Sequence, residues 1–147
     1  MHETIDVLLI DACDADSKLT RAAVRSAAPT ASLVRVKDGE QALRLMFDNG
    51  LYTKAPHVPR LVLLELNVPR TNGHGVLRRL RDEVSGAGVA VVVLTSSRDR
   101  AAIEASYTLG ALECLSKPHD PDVYRREVER VVRRHLADPP ARRAAGG

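Results

Sequence analysis

Two apolar runs constrain this chain more than any other feature. Leu61-Val62-Leu63-Leu64 and Ala90-Val91-Val92-Val93-Leu94 hold no polar residue that could face water. Runs this short suit strands, and an unbroken apolar strand must be covered on both faces. That is the situation of a parallel sheet wrapped by helices, and the remaining sequence alternates to supply them. Strands are expected at Ile5 to Ile10, Ser32 to Val36, Leu61 to Glu65, Ala90 to Leu94 and Glu113 to Ser116.

Helices fill the gaps. Asp16 or Ser17 is expected to cap the first, which runs to about Ala27 with Leu19, Ala22, Ala23 and Ala27 inward, and Pro29 stops it. Gly39 to Asn49 follows with Ala42, Leu43 and Met46 inward, and Gly50 stands where a C-cap glycine belongs. The turn from Pro69 to Gly73 opens a helix from about His74 to Arg81; Asp99 to Leu109 is ended by Gly110. Pro121 starts the last helix, which runs to about Leu136 with Val128, Val131, Val132 and His135 on its inner stripe.

Five βα units of this size specify an α/β, doubly wound parallel sheet with right-handed crossovers. Strand order 2-1-3-4-5 sets the carboxyl ends of strands one and three side by side at a topological switch point. One domain is expected over 1–137, followed by a disordered tail over 138–147 rich in Pro, Ala, Arg and Gly.

Composition excludes several function classes. No run approaches membrane-spanning length and no signal peptide is visible, so a cytoplasmic location is expected. Aromatic residues make up 3%, too few for stacking platforms on single-stranded nucleic acid. The net charge of +3 comes from eighteen Arg against four Lys. Arg125, Arg126, Arg130, Arg133 and Arg134 stud the last helix, and a solvated face is preferred there over a nucleic-acid patch. Cys13 and Cys114 lack metal-ligand spacing, as do the histidines at 2, 57, 74, 119 and 135, so no metal cluster is expected from them.

Chemistry concentrates at the carboxyl edge of the sheet. Asp11 follows strand one, Glu65 ends strand three, Thr95 with Ser96 and Ser97 ends strand four, and Lys117 follows strand five. Acid, acid, hydroxyl and lysine, each after its own strand, outline a phosphoryl-handling site. Asp14 and Asp16 could supply a further ligand, although helix capping suits both better.

With these residues laid out, the chain resembles the receiver domains of bacterial two-component response regulators. The likeness rests on the acidic end of strand one, Leu63-Leu64-Glu65-Leu66-Asn67-Val68-Pro69, Val92-Val93-Leu94-Thr95-Ser96-Ser97, and Ser116-Lys117-Pro118 preceded by Leu109-Gly110-Ala111. It covers about Ile5 to Leu136 and implies a flavodoxin-like (βα)5 fold. The stretch from Asn49 to Pro59 looks like the longer loop of single-domain regulators that partner phytochrome-type histidine kinases. A stand-alone receiver, with no effector domain after it, is expected.

The resemblance implies that an aspartate ending strand three accepts a phosphoryl group. It further implies that Mg²⁺ is held by that residue, an acid after strand one and a backbone carbonyl. This chain departs at three positions. Glu65 takes the phosphoacceptor position, Ala12 the second acidic position, and Cys114 the switch aromatic; Asp11, Asn67, Thr95, Lys117 and Pro118 match. The family's cis form of the bond before the proline is left open for Lys117-Pro118.

Glutamate reaches about 1.5 Å farther than aspartate, whereas in-line phosphoryl transfer depends on close alignment. Loss of the carboxylate at Ala12 removes a ligand from an ion that wants octahedral oxygen. Asp11 and Glu65 facing Lys117 bring the charge nearer balance without metal, and Glu65 can pair directly with Lys117. The expected protein is therefore not an enzyme. It is a degenerate receiver, signalling by contact with a histidine kinase or another signalling protein, without phosphorylation or cofactor. In that reading Glu65 either fills the pocket or mimics the phosphorylated state. One alternative is a Mg²⁺-dependent phosphoacceptor, and another is a small-molecule sensor using the vacated metal pocket. The resemblance also implies a homodimer face on helix 4, strand 5 and helix 5, with Val123 and Tyr124 as contact residues if exposed.

Overall fold

The two apolar runs form the centre of a five-stranded parallel sheet of order β2-β1-β3-β4-β5, as the alternation requires. The computed structural model describes residues 5–48, 59–83 and 89–136. In chain order the elements are β1 (Val7–Ile10), α1 (Asp14–Ala27), β2 (Leu33–Val36), α2 (Gly39–Leu43), β3 (Leu61–Leu64), α3 (Gly73–Glu83), β4 (Ala90–Thr95), α4 (Arg100–Thr108), β5 (Glu113–Ser116) and α5 (Pro121–Leu136). The segment Arg44–Asp48 continues α2 as a π-helical turn, a departure that the sequence pattern does not carry.

Alternation within each strand divides the core into two layers. Val7, Leu9, Leu61, Leu63, Val92 and Leu94 pack with Ala23, Val24, Val128, Val131 and Val132, under α1 and α5. Leu8, Ile10, Val62, Leu64, Val91 and Val93 pack on the other side with Ala42, Met46, Val76 and Leu77, under α2 and α3. β1 and β3, and β4 as far as Leu94, are apolar throughout because both of their faces are core.

Several boundaries move. β1 begins at Val7, with Ile5 buried ahead of it. Neither Asp16 nor Ser17 caps α1: Cys13 holds the extended N-cap conformation, and its Sγ accepts from the Asp16 amide at 3.5 Å. The helix therefore starts earlier, and its inner face is Ser17, Thr20, Ala23 and Val24, with Ala22 exposed. Asp38 caps α2 and Asp99 caps α4. Tyr124 is buried rather than available for contact, while Val123 is partly exposed. His135 is only partly covered and pairs with Glu113 at 2.9 Å. The Lys117-Pro118 bond is trans. Gly50, the loop Leu51 to Val58 and the tail lie outside the described residues.

Two backbone features shape the loops around the carboxyl edge. The α2 terminus lies so close to the β3–α3 loop that a Cβ on Gly39 would collide with the Thr71 carbonyl. Arg70 in that loop has φ of 74°, and its guanidinium reaches Glu40 at 2.8 Å. A non-glycine residue there costs on the order of 1 kcal/mol of backbone strain.

Candidate functional site

Ladder hydrogen bonds continue past the strands and fix the site residues. The Asp11 amide donates to the Val36 carbonyl at 3.1 Å, the Glu65 amide to Ile10 at 2.9 Å, and the Lys117 amide to Thr95 at 2.8 Å. These bonds set Asp11 and Glu65 together at the switch point and bring the Lys117 backbone alongside the end of β4.

Lys117 is the centre of the cluster. Its Nζ lies 2.7 Å from Asp11 Oδ2, 2.9 Å from Glu65 Oε1 and 2.9 Å from Asp16 Oδ2. The side chains of Lys117, Asp11 and Glu65 are 8%, 2% and 8% exposed, and Asp16 closes the outer side at 33%. Burial disfavours the charged lysine, but the three carboxylates outweigh it and raise its pKa, so the ammonium persists. The three donors of an ammonium match three acceptors.

The remaining carboxylate oxygens of Asp11 and Glu65 are also engaged. Asp11 Oδ1 accepts from the Cys13 amide at 2.9 Å, and Glu65 Oε2 accepts from the Asn67 amide at 3.3 Å. The Asp11 carbonyl accepts from Arg35 Nε at 2.9 Å, and the same guanidinium pairs with Asp14 at 2.9 Å. Arg35 thus clamps the β1–α1 loop from β2, with its remaining NH2 nitrogen buried and without a hydrogen-bond partner.

Of the residues expected here, the cluster unites Asp11, Glu65 and Lys117. Thr95 is fully buried, and its hydroxyl oxygen accepts from the Ser97 amide at 3.0 Å, within its own loop. Ala12 is exposed and brings no donor. Cys114 is half-buried on the α4 side, with Sγ 3.9 Å from the Ile103 carbonyl, and burial pushes its thiol pKa up. Asn67 contributes its amide to Glu65, and its residue is exposed.

Asp16 and Arg35 were the omissions. The expected charge count placed two carboxylates against Lys117; the structure has three. Side chains in a helix lean toward its N-terminus, so a carboxylate in the first turn of α1 reaches back over the sheet edge. Arg35 carried a signal too, as the single charge inside the otherwise apolar Leu33–Val36.

Oxygen donors for a divalent cation would have to come from Asp11, Asp16, Glu65 and nearby carbonyls, and the Lys117 ammonium already sits among those carboxylates. Among the described residues, no group of three or more His, Cys, Asp or Glu side chains is arranged to hold a metal ion. A cavity of about 480 Å³ lies beside the cluster, lined by residues including Asn67, Pro69, Asn72, His74, Ser97 and Ala102. Among the described residues, no helix is long and apolar enough to cross a membrane.

The pattern of the response regulator receiver domain family matches residues 6–129. The chain is 32% identical to the response regulator Rcp1 of Synechocystis over 103 residues, 70% of this chain and 69% of that one. Its fold is similar to the phosphorylated cyanobacterial phytochrome response regulator RcpA, with a TM-score of 0.80, 26% identity, and 91% and 95% of the two chains covered. It is also similar to a Mn²⁺-bound response regulator Rcp1, with a TM-score of 0.77, 28% identity, and coverage of 86% and 91%.

Proposed function

The chain belongs to the response regulator receiver domain family of two-component signalling, and we propose that it signals by protein–protein contact without a phosphotransfer step. The observation that carries this reading is the Lys117 ammonium held by Glu65, Asp11 and Asp16. In this reading Glu65 stands at the phosphoacceptor position and serves as a structural ion-pair partner. The oxygen that would attack phosphorus is engaged by a lysine whose family role is to bind phosphoryl oxygens. Moving Glu65 off Lys117 strips a buried charge of its partner, a change on the order of 3–5 kcal/mol.

The donor set does not fit Mg²⁺. The second acidic position is Ala12, so a ligand is missing, and a divalent ion among these carboxylates would lie against the ammonium of Lys117. Asp16 supplies the missing negative charge but spends it on Lys117. Thr95 and Cys114 stand at the switch positions without an aromatic on β5, so the usual report of a phosphorylated state has no side chain to carry it.

The proposed partner is a histidine kinase, phytochrome-type in view of the likeness to RcpA, or another signalling protein. A cytoplasmic location suits such a partner. A homodimer through α4, β5 and α5 is a further part of this reading, supported by Tyr107 and Leu112, two large side chains about half exposed there.

The competing reading is a Mg²⁺-dependent phosphoacceptor, favoured by the likeness to phosphorylated and Mn²⁺-bound regulators. Intact mass after incubation with Mg²⁺ and acetyl phosphate separates the two. No phosphoryl gain on this chain, with gain in Ala12→Asp/Glu65→Asp, is expected. Phosphoryl gain on the natural chain, lost in Glu65→Ala, overturns the proposal.

A further inference from the structure

Past Asp16, the ion cluster continues into the helices. Thr20 lies one turn along α1, and its hydroxyl reaches the Asp16 carbonyl at 2.9 Å. The same oxygen is 2.7 Å from the hydroxyl of Tyr124 on α5. A carbonyl only accepts, so Thr20 spends its single proton on Asp16, and Tyr124 must donate to Thr20. Both arms of the run converge on Asp16: Lys117 donates to its carboxylate, while Tyr124 donates to Thr20 and Thr20 to its carbonyl. Thr20 and Tyr124 are buried, so water does not compete for the bond between them.

On the opposite flank, neither switch position reaches the cluster through its side chain. The Thr95 hydroxyl accepts from its own loop, and Cys114 Sγ faces α4, where it reaches the Ile103 carbonyl at 3.9 Å. We propose that this chain reports the state of its carboxylate–lysine cluster to α5 through α1, with Asp16, Thr20 and Tyr124 as the connecting residues. When Lys117 shifts its weight among Asp11, Glu65 and Asp16, the first turn of α1 moves with the Asp16 carboxylate. Thr20 follows through the Asp16 carbonyl, and α5 responds at Tyr124. A shared apolar layer that includes Val24 of α1 and Val128 and Val132 of α5 lets the two helices move as one unit.

Electrostatics agree with the geometry. Burial pushes the Tyr124 phenol up to about 12, and the charges of Lys117, Asp11 and Asp16 all act on it. The inference stands on the hydrogen-bond run and holds whether or not Glu65 accepts a phosphoryl group. A mere spatial series of contacts does not establish coupling, so the test has to measure coupling.

The full chain labelled with ¹³Cζ-tyrosine provides the readout, with Tyr124 assigned by Tyr124→Phe and the amides of α5 followed by hydrogen exchange. Glu65→Gln perturbs the cluster without touching α1. It is expected to move the Tyr124 resonance and to change exchange in the first turns of α5 severalfold. In a Thr20→Val background the same change is expected to leave both unmoved, and Thr20→Ser, which keeps the hydroxyl, is expected to restore the response. An equal response with Thr20→Val, no response in either background, or a response confined to α4 and β5 overturns the proposal. Should Thr20→Val not fold, Tyr124→Phe replaces it, read through α5 exchange alone with the same outcomes.

Discussion

The α1–α5 flank and the α4–β5 flank of the same sheet are built differently. On the first, α1 packs along α5, Val128, Val131 and Val132 are fully buried, and the Tyr124 hydroxyl finds Thr20. On the second, the buried residue of α4 is Ser106, β5 is only partly covered, and Tyr107 and Leu112 are 49% and 54% exposed. Lys117 leaves β5 but delivers its charge to α1, through Asp16. The cluster is therefore fastened to the well-packed flank, while the open flank holds a half-buried thiol and an exposed aromatic. Dense packing and the side-chain connection to the cluster coincide on one side, whereas the bond from the Cys114 amide to the Tyr107 hydroxyl ties β5 to α4 without reaching Lys117. A disturbance of the cluster should therefore travel toward α1 and α5.

The largest effect is expected at the hub. Lys117→Met leaves Asp11 and Glu65 buried without their cation and should lower stability by about 3–5 kcal/mol, read from urea unfolding. Glu65→Gln in the same background should then recover part of the loss, because one uncompensated charge is removed.

Next come the two tyrosines, one on each flank. Tyr124→Phe removes a buried hydrogen bond and should cost about 1 kcal/mol. Tyr107→Phe removes the acceptor of the Cys114 amide at 3.1 Å, but the residue is half exposed and water can replace the hydroxyl, so the change should stay within about 0.5 kcal/mol. Equal costs would erase the contrast between the flanks. pH sharpens it. The Tyr124 phenol is raised from 10.0 to about 12 in the folded protein. Its contribution is therefore fully present below the unfolded value and is lost as pH rises between the two. Thermal unfolding followed up to pH 12 should show this fall, and Tyr124→Phe should flatten it while Tyr107→Phe does not.

Asp16→Asn should cost less than Tyr124→Phe, on the order of 0.5 kcal/mol, because solvent screens a carboxylate that is a third exposed. Its effect should be visible in α5 hydrogen exchange more than in the unfolding midpoint. The smallest expected change is Leu112→Ser, within about 0.5 kcal/mol of the natural chain. Sedimentation at high concentration should show weaker self-association for this variant, in line with an apolar face on the α4–β5 flank.

Much of this architecture was legible in the residues. Uninterrupted apolar runs at Leu61 and Ala90 demanded a sheet covered on both faces, and the punctuation by Pro29, Gly110 and Pro121 placed the helices between. Asp11, Glu65 and Lys117 fell on strand ends, and strand ends converge in this topology. What stayed hidden depended on direction rather than on type. Asp16 looked like a cap because its position near a helix start suits one, but Cys13 took the cap and freed the carboxylate for Lys117. Tyr124 looked available on an arginine-rich helix, yet its place one turn before Val128 sets it on the inner stripe. The π-helical turn after α2 has no sequence signature of its own.

The most direct measurement follows the Lys117 side chain itself. In ¹⁵N-lysine-labelled protein, the ammonium of Lys117 is expected to give a slowly exchanging signal, coupled across hydrogen bonds to Asp11, Asp16 and Glu65, and unchanged by Mg²⁺ at millimolar concentration. A freely averaging ammonium like that of an exposed lysine would contradict the account. So would a signal that Mg²⁺ displaces, since Lys117 would then be a bystander to an ordinary metal site.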